Sequence, residues 1–141
     1  MKILIAIDGS DHALRAVNYV IDLAGQLRHV SNVTLISVHD DTGLRRAKGF
    51  IGNQEVADYL RELSEEEIKP AQDLLQAANI QCDIEIRVGH VVQQIVEFAD
   101  ESVFDLVVMG AKGRGAFADM ILGSVAQRVA AMTKQAVLLI K

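Results

Sequence analysis

Residues 105–124 read DLVVMGAKGRGAFADMILGS: an apolar run of strand length, a turn rich in glycine, and the entrance to the helical pattern VAQRVAAM of residues 125–132. The chain has ten glycines in 141 residues. Four of them (Gly110, Gly113, Gly115 and Gly123) fall in this stretch, with Lys112 and Arg114 among the first. A glycine-rich turn from strand to helix suits phosphate, because backbone amides and the positive end of the helix dipole converge there. It equally suits a plain corner, so the topology around it has to decide.

Four further runs have strand length: KILIAID at 2–8, NVTLISV at 32–38, CDIEIRV at 82–88 and AVLLI at 136–140. The segments between them carry apolar residues at helical spacing. Ala16, Val17, Val20, Ile21, Ala24 and Leu27 make one face, Val92, Ile95, Phe98 and Ala99 another, and Val125, Val129 and Met132 a short last one. Alternating strands and helices predict an α/β fold: one domain over residues 1–141, with an open five-stranded parallel sheet and helices on both faces. The third strand alternates Ile84, Ile86 and Val88 with Asp83, Glu85 and Arg87, which suits an edge with one wet face. The first and fourth are continuously apolar and suit the middle. The predicted order is 3-2-1-4-5, with the switch point at the carboxyl ends of strands one and four, where open α/β sheets bind ligands. Two loops emerge there, DGSDHA after strand one and GAKGRGA after strand four.

Two segments are less regular. Residues 55–79 contain Pro70, which lacks the amide a helix interior needs, and Ser64 with Glu67 resembles a capping box. The segment reads as one kinked helix or as two. Residues 40–53, DDTGLRRAKGFIGN, have no apolar period and predict a mobile surface loop.

Composition narrows the partners. Half the residues are hydrophobic and 23% are charged, as in an ordinary globular domain. The net charge of −5 argues against a nucleic-acid binder. Its distribution is uneven: residues 106–141 hold five cations (Lys112, Arg114, Arg128, Lys134, Lys141) and one anion (Asp119), leaving nine cations and 18 anions elsewhere. The glycine-rich turn thus lies in the basic part of an acidic chain. No run is long enough for a membrane span or a signal-peptide core. The single Cys82 has no internal disulfide partner, and His12, His29, His39 and His90 show no metal-ligand spacing, so they read as surface or packing residues. A cytoplasmic setting without a membrane, nucleic acid or structural metal is expected.

A Walker loop fails on the glycine-rich stretch, since Ala116 stands where its lysine belongs. GRGAFA fits the spacing of a dinucleotide fingerprint, but that belongs in a first strand-to-helix turn. A third pattern fits: Gly110, Gly113, Gly123 and Ser124 match G-x2-G-x9-G-S. With ILIAIDGSDHALRAV at 3–17, they make the whole chain resemble the universal stress protein family, in its ATP-binding branch, which has a Rossmann-like, adenine nucleotide α-hydrolase-like fold.

The residues have physical reasons of their own. Gly110 and Gly113 can take left-handed conformations and let amides approach phosphate closely. Gly123 and Ser124 stand where the last helix should begin, with free amides, although the Ser124 hydroxyl suits a helix cap as well. The resemblance implies that Asp8 holds the ribose and that Val38 contacts adenine. As plain alternatives, Asp8 would cap the first helix, a job Ser10 and Asp11 also suit, and Val38 would be core. Met109 and Val125 join the implied binding set beside Gly110 and Ser124, and Lys112 and Arg114 are helpers that would neutralise phosphate. The family often has a proline just after the position of His90 and another at Ala136. Val91 and Ala136 depart from this, which bears on helix and strand entry rather than on phosphate.

The resulting expectation is an ATP-binding stress-response module, regulatory or protective, carrying ATP with or without Mg2+ and hydrolysing it slowly at most, since the loops offer Asp8, Ser10, Asp11 and Ser124 but no clear base. Competing readings are a nucleotide-free interaction protein and a slow phosphotransfer enzyme. The all-apolar AVLLI edge predicts a homodimer through the last strand, which the resemblance also implies, besides an unknown protein partner. The alternative is a monomer with residues 40–53 folded over that edge.

Overall fold

In the computed structural model, which describes residues 1–29, 32–47, 52–115, 119 and 121–141, the chain runs β1 (Lys2–Ala6), α1 (Asp11–Gln26), β2 (Asn32–His39), α2 (Thr42–Ala47), α3 (Asn53–Ala77), β3 (Cys82–Val88), α4 (Val91–Glu101), β4 (Leu106–Gly110), α5 (Ser124–Met132) and β5 (Ala136–Ile140). The strands form one sheet in the order β3-β2-β1-β4-β5, as expected, and every pairing is parallel.

The apolar residues of β1 split between two cores because successive side chains point to opposite faces. Ile3, Ile5 and the following Ile7 are buried with Ala16, Val17 and Val20 of α1 and Ile68, Ala71 and Leu75 of α3. Leu4 is buried on the other face with Val92, Ile95 and Ala99 of α4 and Ala126 and Val129 of α5. Each fully buried Ile or Leu contributes about 1.5–3 kcal/mol, which is why strands one and four occupy the centre. Helix α1 leaves β1 toward one face and α5 follows β4 onto the other. The chain therefore diverges where Ala6 pairs with Met109, and this is the switch point.

β3 is an edge, but its predicted apolar side is only partly covered: Ile86 packs on the α1/α3 core, while Ile84 and Val88 are 42% and 39% exposed. Cys82 is half-buried, and burial, with Asp83 beside it, pushes its thiol above the ordinary range.

Two readings of the irregular segments change. Part of the expected loop is helix α2. Asp40 Oδ1 accepts from Thr42 N at 2.8 Å, and Asp41 pairs with Arg45 one turn on. Such local ties form a helix end without an apolar period. The Thr42 side-chain and backbone bonds hold the Asp40 carboxyl below its ordinary range. That contribution to α2 is present above the ordinary aspartate pKa and is lost as pH falls through the lowered value. Residues 48–51 of this segment lie outside the described residues.

The second segment is a single helix, α3, with Pro70 inside it. Pro70 and Glu66, whose carbonyl the proline leaves without its helical donor, are both on the exposed side, where water can take over. Ser64 and Glu67 do not form a capping box; they are interior residues of α3 and are buried. At α4, His90 is the N-cap and Val91 the first helical residue, so the helix starts at the expected place without a proline.

Candidate functional site

The two loops predicted to meet do meet. At the carboxyl ends of β1 and β4 lies a cavity of about 480 Å³, within the range of small-molecule sites. All ten residues of the implied binding set line it: Asp8, Val38, Met109, Gly110, Lys112, Gly113, Arg114, Gly123, Ser124 and Val125. One part of the wall is apolar, from Ile36, Val38, Val91, Ile95 and Met109. The other is polar and basic, from the glycine loop, Lys112, Arg114 and the first turn of α5. A flat heterocycle fits the first and an anion the second.

Asp8 ties the two loops together. Its Oδ1 accepts from Ser10 N at 2.9 Å and its Oδ2 from Arg114 N at 3.2 Å. It is not the cap of α1, because Ser10 Oγ accepts from Ala13 N at 3.2 Å and does that job. Asp8 is therefore placed with its carboxylate in the crevice, held by backbone amides.

The glycines have separate reasons. Neither Gly110 nor Gly113 is left-handed; Gly9 and Gly115 are, at φ +76° and +74°. A β-carbon on Gly110 would lie 2.7 Å from His12 Cβ and 2.8 Å from the His12 carbonyl carbon, so this glycine lets α1 approach β4. On Gly113 it would lie 2.6 Å from Asp8 Oδ2. Gly123 is the N-cap of α5 at φ −72°, with no side-chain cap bond, and its amide donates to Ala111 O at 2.7 Å. Ser124 is the first helical residue and not the cap. The opening amides of α5 thus face the cavity side without an intrahelical acceptor.

Glu67 of α3 and His39 of β2 were missed. His39 lines the cavity, and its Nε2 lies 2.9 Å from Glu67 Oε2. Glu67 Oε1 is ion-paired with Arg114 Nη2, although no aligned hydrogen bond reaches that oxygen. The carboxylate is 4% exposed and Arg114 54%. Nearby, Ser37 Oγ donates to Ser64 Oγ at 3.1 Å in the interior. A signal was present: Leu60, Ser64, Glu67, Ile68, Ala71 and Leu75 follow helical spacing, and all are buried. Two polar residues inside an apolar stripe mark polar partners across the interface.

Among the described residues, no group of three His, Cys, Asp or Glu is placed to hold a metal ion, and no helix is long and apolar enough to cross a membrane.

The model of the Universal stress protein family matches residues 1–141. Among curated proteins, universal stress protein MJ0531 of Methanocaldococcus jannaschii is 30% identical over 141 residues, covering 99% of this chain and 81% of that protein. Among solved structures, the hypothetical protein MJ0577 superposes with a TM-score of 0.85 at 26% identity, covering 99% of this chain and 94% of that one. A universal stress protein in complex with cAMP superposes at 0.73 with 25% identity, over 100% and 97% of the two chains.

Proposed function

We propose that this chain, which belongs to the universal stress protein family, binds ATP in the crevice between β1 and β4 and acts as a cytoplasmic regulatory or protective module of the stress response. One observation carries the reading: residues from β1, β2, β4, the glycine loop and α5 converge on one cavity that is apolar on one side and basic on the other. The cAMP-bound relative supports an adenine nucleotide as the ligand class. In this reading Val38 and Met109 border the base, Asp8 accepts from ribose hydroxyls, and Gly113, Lys112, Arg114 and the α5 amides of Ser124 and Val125 hold phosphate. Any Mg2+ that accompanies ATP would rely on the phosphates rather than on a carboxylate cluster of this chain, since none is placed for a metal among the described residues.

The site holds nucleotide rather than turning it over. Asp8 accepts from two backbone amides, Ser10 caps α1, and Ser124 is the first residue of α5. Turnover is expected far below the roughly 10 per second of an ordinary enzyme. Nucleotide occupancy would change the surface of a homodimer formed through β5 and so its affinity for a protein partner.

The test is calorimetric. Gly123→Asp puts an aspartate at an N-cap, where it is well tolerated, and its carboxylate takes the amides and repels phosphate. A folded variant should lose ATP binding. Unchanged affinity would sink the site, and adenine nucleotide released from the denatured parent protein would support it.

A further inference from the structure

The geometry points to Glu67 as a positioning residue that competes with nucleotide phosphate for Arg114, and so tempers how strongly the site prefers a phosphorylated nucleotide to the bare nucleoside. This rests on the nucleotide reading of the crevice and deepens it.

Arg114 is the cation of the glycine loop next to the turn at Gly113, and its own amide is fixed on Asp8 at 3.2 Å. Its guanidinium does not extend into the crevice alone; it crosses the β1–α1 turn to Glu67. A β-carbon on Gly9 would collide with Arg114 Nη2 and come within 3.0 Å of Glu67 Cγ, so glycine at this position leaves room for the crossing. Glu67 is nearly fully buried, and a buried carboxylate must be paired or it is costly. Among the described residues it has two partners: His39 holds Oε2 from β2, while Oε1 has the ion pair to Arg114 with no aligned hydrogen bond. Arg114 is half exposed and Glu67 is not. The mobile member of the pair is therefore the arginine, and its move leaves Glu67 with His39 as remaining partner.

An anion at the polar end of the cavity offers Arg114 a second acceptor of equal or higher charge, which guanidinium binds well. A nucleoside, which lacks phosphate, offers none. Part of the attraction of Arg114 for phosphate is thus offset by leaving Glu67, and Glu67 tempers the gain in going from nucleoside to nucleotide.

The experiment compares adenosine with ATP by calorimetry in the parent, Glu67→Gln, Arg114→Ala and the double variant. Glu67→Gln should tighten ATP roughly tenfold, the scale of one charge-assisted hydrogen bond, with adenosine unchanged. In the Arg114→Ala background the same substitution should give little gain. An equal gain in both backgrounds would mean simple repulsion by Glu67 and would overturn the competition, as would no gain in a folded Glu67→Gln protein. A second readout does not need a base pocket. In protein labelled with 15N-arginine, tripolyphosphate should shift the Arg114 guanidinium signal toward its position in Glu67→Gln. If the parent binds no adenine nucleotide, the functional reading fails, and tripolyphosphate alone decides the competition: a shift supports it and none overturns it.

Discussion

A β-carbon at Gly110 would meet the His12 backbone at 2.8 Å, whereas one at Gly123 would meet nothing closer than 3.4 Å. The first neighbour is the start of a buried helix that cannot retreat without unpacking Ala13, Ala16 and Val17. Gly110→Ala should therefore lower stability by about 1–3 kcal/mol, as overpacking does. Gly123→Ala should cost roughly 0.5–1 kcal/mol, the difference between an acceptable and a poor N-cap. Urea unfolding of the two variants checks this, and equal losses would show that the glycines share one role. The pattern of glycines was legible in the sequence, but the reason for each was not. Spacing cannot tell a glycine that admits a helix from one that makes room for Asp8, because the atoms excluded come from elsewhere in the chain. Ser124 was legible as a helix entrance, and only the backbone angles of Gly123 separate cap from first turn.

At the scale of elements, strands and the shorter helices followed their apolar periods because burial on two faces rewards them. Helix α2 did not, since it rests on Asp40, Thr42 and the Asp41–Arg45 pair. Helix α3 was obscured by Pro70 and by a Ser64–Glu67 spacing that mimics a helix start. Its continuity is decided by tertiary packing, with Val56, Leu60, Ile68, Ala71 and Leu75 buried along one stripe. The proline is tolerated there at a cost. Pro70→Ala should restore a backbone donor on the exposed side and raise stability by about 1–3 kcal/mol, the interior penalty less the entropy the proline removes from the unfolded chain. An unchanged urea midpoint would mean that α3 has already bent around Pro70 at no cost. The misreading of α3 also hid Glu67. A glutamate in a capping box would point back at its own helix start, whereas Glu67 reaches both His39 and Arg114.

For the whole molecule, the two edges of the sheet are protected unequally. β3 carries Asp83, Glu85 and Arg87, charges that discourage another strand from docking. β5 is Ala136–Ile140, with no charge, and Val137 to Ile140 are each only partly buried. Among the described residues no strand lies beyond it. Helix α2, the described part of the segment that could have covered this edge, packs on α3 instead, and α3 packs on β2 and β3 at the far end of the sheet. An apolar edge of this kind is best covered by its own copy about a two-fold axis, since one patch then shields the other. The parent protein is accordingly expected to sediment at twice its 15.4 kDa mass. Leu138 and Leu139 pack on opposite faces of the sheet, so a charge at either position meets the partner strand from a different side. Leu139→Lys and Leu138→Glu should each shift the protein to monomer or aggregate while retaining its helical circular dichroism. A parent that sediments as a 15.4 kDa monomer at micromolar concentration would exclude the dimer.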